Sequence, residues 1–91
     1  IEDLVYEAAK KTGNASHFFK DSQAELDDHI PFVQRGVLAA DVIDVDYGPH
    51  DAAHPDGWHH TPEDTLDKIS AKSLGISGAV FMETIRLLNA P

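Results

Sequence analysis

The run Val37-Leu38-Ala39-Ala40-Asp41-Val42-Ile43 constrains the fold more than any other feature of the chain. It is apolar on both faces and too short for a core helix, so it reads as a buried strand. A short helical segment and a glycine precede it, which is the local grammar of an α/β protein with a largely parallel sheet. No second stretch of the 91 residues reads convincingly as a strand, and one strand makes no sheet. Its neighbours must come from other polypeptide or from another copy of the chain, so self-association is expected. The sequence opens on Ile1, without methionine and already in a helical pattern, and is therefore expected to be a piece of something longer.

The remaining pattern is helical or loop-like. Over residues 1–12, Ile1, Leu4, Val5, Ala8 and Ala9 recur at helical spacing, acidic residues come early, Lys10 and Lys11 come late, and Gly13 stops the helix. Phe18 and Phe19 are expected to dock on a core. A short helix is predicted from Asp28 as N-cap, with Pro31 in its first turn and Gly36 ending it. Residues 44–61 form a long loop with four histidines, His50, His54, His59 and His60. Thr61-Pro62-Glu63-Asp64 reads as a capped helix start. Ser70 caps a final helix to about Leu88, with Leu74, Gly78, Phe81, Ile85 and Leu88 on one stripe and Ile76, Val80 and Leu87 beside it. So broad an apolar face calls for a packed layer, and Gly75 and Gly78 suggest close approach.

Composition excludes several functions. The formal charge is −9, from 16 acidic and 7 basic residues, which argues against binding nucleic acid, where clustered Lys and Arg displace phosphate counterions. Cysteine is absent, so disulfides, cysteine-type structural zinc and thiol nucleophiles are ruled out. No apolar run approaches the ~20 residues that span a bilayer. Between residues 21 and 67, twelve carboxylates face the single Arg35, which makes this stretch either a solvated acidic face or a place for cations.

Three groups of residues can carry chemistry. In Asp27-Asp28-His29, capping accounts for one carboxylate; the other and the imidazole can orient a metal ligand or share a proton. Asp41 interrupts an apolar strand, where an unpaired carboxylate is costly, so it sits at a wet end or beside a specific partner. Active sites of open parallel sheets lie beyond such strand ends. In Trp58-His59-His60-Thr61 an imidazole on a loop before a helix is held in a fixed direction, as zinc ligation requires. Adjacent histidines point different ways, so one of the two is expected to ligate. There is no HExxH, GxSxG, phosphate-loop or dinucleotide motif.

Asp27-Asp28-His29-Ile30-Pro31-Phe32, then Gly36-Val37, then Trp58-His59-His60-Thr61-Pro62-Glu63-Asp64-Thr65-Leu66-Asp67-Lys68-Ile69-Ser70 together resemble the C-terminal third of the zinc aminopeptidases that share a fold with glutaminyl-peptide cyclotransferases. The form of the first motif, with Trp ahead of His-Thr, resembles the cyclotransferase branch, including bacterial glutaminyl cyclases. The resemblance implies an α/β fold, with residues 1–91 as the C-terminal fragment of one catalytic domain, a three-layer α/β/α sandwich on a mixed, mostly parallel sheet. It implies that His60 is a zinc ligand and that Asp27 hydrogen-bonds the acidic partner of the catalytic acid. Trp58 matches the indole beside substrate, and Asp41 occupies a strand position where some cyclotransferases have histidine. Asp28, His29 and His59 fall in the surrounding shell. His59 is an insertion relative to the cyclotransferase pattern, and Leu38 replaces a proline common after Gly-Val.

The expected parent is a zinc enzyme acting on the N-terminus of a peptide or protein, periplasmic or secreted, with the other zinc ligands and the catalytic acid outside this chain. Alone, the chain is expected neither to hold Zn2+ tightly nor to catalyse. Aminopeptidase hydrolysis is the alternative reaction. A non-catalytic α/β protein-binding domain is the alternative of another class.

Overall fold

The computed structural model describes residues 1–18, 27–44 and 46–90. Helix α1 (Glu2–Lys11) begins with Glu2 and Asp3 and ends with Lys10 and Lys11, opposite in sign to the partial charges at each end. It stops where expected. Gly13 takes φ +75°, its N–H donates to the Lys10 carbonyl at 3.1 Å, and the Asn14 N–H reaches back to the Ala9 carbonyl at 2.7 Å. This pair of bonds satisfies carbonyls that the helix end would otherwise leave open. A 3₁₀ turn (Ala15–His17) follows.

Helix α3 (Ala71–Leu88) starts at Ser70, whose Oγ accepts from the Ser73 N–H at 3.0 Å, as the capping signal predicts. It packs on α1 around Val5, Ala8, Ala9 and Val80, and Ala15, Phe18 and Leu87 close over that cluster. Phe18 thus docks as expected, whereas Phe19 lies outside the described residues. The stripe that meets α1 is the one through Val80 and Leu87. Leu74, Phe81, Ile85 and Leu88, the longer stripe, are exposed. Gly75 and Gly78 do not mediate close packing among the described residues, because a Cβ at either would meet nothing within 4 Å.

Helix α2 (Ile30–Gln34) is a single turn and a half, capped by His29 rather than Asp28, with Pro31 in its first turn. No cap is made by a side chain there; the Ile30 N–H donates instead to the Asp27 carbonyl at 3.1 Å. Gly36 at φ +79° ends it, with bonds from Gly36 N–H to the Val33 carbonyl and from Val37 N–H to the Phe32 carbonyl, both 3.0 Å. This reversal lays the following segment back along α2.

Among the described residues there is no strand. Residues 37–43, read above as a strand buried on both faces, run without ladder partners, and Val37, Leu38, Val42 and Ile43 are exposed. A strand is a paired state, and the described residues offer this run nothing to pair with. The capped helix read at Thr61 also does not form. Thr61 Oγ1 donates to the Trp58 carbonyl at 2.6 Å instead of accepting from the residues ahead, and the only helical turn between Thr61 and α3 is the 3₁₀ turn Leu66–Lys68. The radius of gyration is 15.2 Å, against roughly 12 Å for a compact domain of this length. Among the described residues, no helix is long and apolar enough to cross a membrane.

Candidate active-site segment

Two short stretches carry the residues singled out above. The first is the α2 corner. Asp27, Asp28, His29 and Asp41 line one open concavity of about 340 Å³, together with Phe32, Ala39 and Ala40. The turn at Gly36 makes this possible, because it brings Asp41 back beside the start of α2. His29 Nδ1 lies 3.8 Å from Asp41 Oδ2, with the two side chains 18% and 26% exposed. Asp27 is engaged locally, its Oδ1 accepting the Asp28 N–H at 2.8 Å. Three carboxylates and an imidazole around an apolar floor suit a cationic or hydrogen-bond-donating group with a small apolar body.

The second is the turn at residues 58–61. The Trp58 N–H donates to the Tyr47 carbonyl at 2.9 Å, and the Trp58 carbonyl accepts from both the N–H and the hydroxyl of Thr61, at 3.0 and 2.6 Å. His60 stands at the third position of this turn with φ +57°, the only non-glycine at positive φ among the described residues. That backbone state is uncommon for a residue with a Cβ, costs of order 1 kcal/mol or more, and recurs at functional sites. The expectation that the adjacent histidines point apart is corrected here. With His60 in the left-handed region its ring turns back over that of His59, and the two stack at 3.8 Å and 25°. Tyr47 meets His59 edge-on at 6.1 Å between centroids.

Trp58 is held from two directions. The Cα of Gly48 approaches the indole so closely that a Cβ would lie 2.6 Å from Cδ2, and Lys68 Nζ sits 4.8 Å from the ring centroid, within cation–π range. A lattice of side chains braces the loop. The Tyr47 hydroxyl donates to Asp64 Oδ2 at 2.8 Å, a bond that pushes the phenol's pKa up. His54 stands between Asp51 (3.0 Å) and Glu63 (3.6 Å). Asp51 accepts from the backbone N–H of His54 and then from its ring, and its carboxyl is lowered below the ordinary range. His50 places Nε2 2.5 Å from Asp46 Oδ1 and Nδ1 3.0 Å from the Pro55 carbonyl. Both partners are acceptors, and each favours a proton on the ring nitrogen that faces it. The Asp46 carboxylate first, and the carbonyl second, raise the pKa of His50 accordingly.

Among the described residues, no three His, Asp or Glu side chains converge as a metal site would require. His60, Trp58 and His59 do not line the concavity that holds Asp27 and Asp41. His60 offers one donor of the right chemistry, and among the described residues no set of donors completes a zinc site around it. Sequence reasoning missed the left-handed backbone of His60, for which the only signal is that histidine tolerates that region better than most residues. It also missed the pairing of His29 with Asp41, which the stop at Gly36 could have suggested.

Residues 1–85 match the family model for peptidase family M28. The chain belongs to that family. A crystal structure of a glutaminyl cyclase from an Acidobacteriales bacterium superposes with a TM-score of 0.90 at 57% identity, covering 96% of this chain and 30% of that one. Aminopeptidase YwaD of Bacillus subtilis is 34% identical over 57 residues, which are 63% of this chain and 12% of that protein. This M28 chain therefore spans less than a third of the length of either relative.

Proposed function

We propose that this M28 segment is the C-terminal part of an enzyme acting at the N-terminus of peptides, and that the reaction is cyclisation of an N-terminal glutaminyl residue. The likeness to a glutaminyl cyclase, at 57% identity over nearly the whole chain, is the observation that carries the reading. In that reaction the α-amine nitrogen bonds to the γ-carboxamide carbon, the carbon–nitrogen bond to the amide breaks, and ammonia leaves with the proton that the amine gives up. The fold proposed for the whole enzyme is an α/β/α sandwich in which residues 37–43 pair with strands from other polypeptide.

The residues in hand divide the work. Asp41, in the lining of the concavity, accepts hydrogen bonds from the substrate's amine end. Asp27 holds the carboxylate relay that passes the proton. The Trp58 indole gives an apolar wall near the turn at residues 58–61. His60 is the one zinc ligand this segment contributes, and zinc in such an enzyme supplies Lewis-acid polarisation of the substrate carbonyl. Hydrolysis by an aminopeptidase is the second reading, supported by the 34% likeness to YwaD.

A protein of the relatives' full length, assayed with a glutaminyl peptide and with a leucyl anilide, tests the proposal. Ammonia release from the first without cleavage of the second is expected; the reverse pattern establishes the second reading, and inertness toward both refutes each. The 91-residue chain alone is expected to lose zinc on dialysis against a weak chelator, and stoichiometric retention would contradict the one-ligand assignment.

A further inference from the structure

His29 Nδ1 is the one fully buried side-chain nitrogen or oxygen among the described residues that lacks a hydrogen-bond partner. Leaving such a group unmatched costs roughly 1–3 kcal/mol. Its surroundings decide what it needs. The nearest complementary group is Asp41 Oδ2 at 3.8 Å, too long for a hydrogen bond and short enough to become one by a small side-chain rotation. A ring with its proton on Nε2 would aim the Nδ1 lone pair at an anion, which is repulsive; with the proton on Nδ1 the same approach is attractive. The His29 backbone is fixed for the purpose. The His29 carbonyl accepts from the Phe32 and Val33 N–H groups at 3.2 and 3.1 Å, and the Gly36 turn returns the chain to Asp41.

We propose that His29 is a positioning residue whose Nδ1–H holds the Asp41 carboxylate in the lining of the concavity. The inference rests on the reading of Asp41 as a substrate contact and adds the group that aims it. Without His29 the carboxylate sits on an exposed, unpaired segment and is free to turn to solvent.

The test combines a spectroscopic signature with a side-chain rescue, both on the intact protein. Histidine-selective ¹⁵N spectra are expected to show a proton on Nδ1 of His29, and Asp41→Asn is expected to shift the Nδ1 resonance. In kinetics with the glutaminyl peptide, His29→Leu should lower kcat/KM about 10- to 100-fold, the range for groups that orient a functional side chain. His29→Asn, whose amide nitrogen sits where Nδ1 was, should recover most of that loss; His29→Gln, whose amide reaches the Nε2 position, should not. In an Asp41→Asn background His29→Leu should add little. An Nδ1 without a proton, equal losses for Asn and Gln, or additive losses with Asp41→Asn would overturn the proposal. Because the tautomer is read without turnover, Nδ1 protonation in a protein inert toward both substrates would refute the reading of function and leave the pairing intact.

Discussion

Replacing Gly57 by alanine tests how the turn at residues 58–61 is held. Gly57 is buried at φ +72°, and a Cβ there would lie 2.1 Å from the Tyr47 carbonyl oxygen, a backbone atom that cannot swing away. The same oxygen accepts the Trp58 N–H. The left-handed conformation alone costs alanine about 1–2 kcal/mol. Relieving the overlap must also break or stretch the bond to Trp58, worth about 1 kcal/mol net. The sum, roughly 2–3 kcal/mol, corresponds to about a 30- to 150-fold rise in local opening. Hydrogen exchange at the Trp58 amide reads this directly, and acrylamide quenching of Trp58, the single tryptophan of the chain, reads it from the side chain. Gly13→Ala is the control: it has nearly the same φ, +75°, but nothing within 4 Å, so it carries the conformational cost without the overlap. If Gly57→Ala opened the Trp58 amide no more than Gly13→Ala opens its own helix end, the steric argument would be wrong.

Ser70→Ala should destabilise α3 by about 1 kcal/mol and Ser70→Gly by only a few tenths, seen as faster exchange at Ser73; equal effects would deny the cap. The loop should be tightest between about pH 4 and 6.5. Its raised pKa makes the contribution of His50 complete below ordinary histidine values and lost as pH climbs through the folded-state value, while the lowered Asp51 acts above ordinary carboxylate values and is lost as pH falls. Both groups are solvent-exposed, so salt should blunt the effect, and His50→Gln should abolish its alkaline limb in loop protection factors. The isolated chain, with Leu74, Met82, Ile85 and Leu88 exposed on α3, should self-associate in size-exclusion chromatography, and a well-folded monomer at micromolar concentration would refute that.

What could be read from the sequence was what the chain decides locally. The ends of α1 and α3 follow from Gly13 and Ser70 because each signal satisfies backbone groups within a few residues of itself. The start predicted at Thr61 failed because its hydroxyl had a better acceptor behind it, the Trp58 carbonyl, and a cap signal does not state which way the oxygen will turn. Residues 37–43 carry strand composition without strand structure, since pairing depends on polypeptide that their own composition cannot specify. Of the candidate residues, Asp27, Asp28, His29 and Asp41 share one concavity, whereas Trp58, His59 and His60 form a separate turn. The spacing of residues announced each group, but not the distance between the groups.

The Gly36 reversal has an evolutionary corollary. It brings His29 and Asp41 together within fifteen consecutive residues, 27–41. The His60 turn is closed by Trp58 and Thr61 and anchored to the Tyr47 carbonyl. Selection can therefore reshape the acidic recess and the histidine turn as separate cassettes, since edits confined to one short stretch leave the backbone bonds of the other in place.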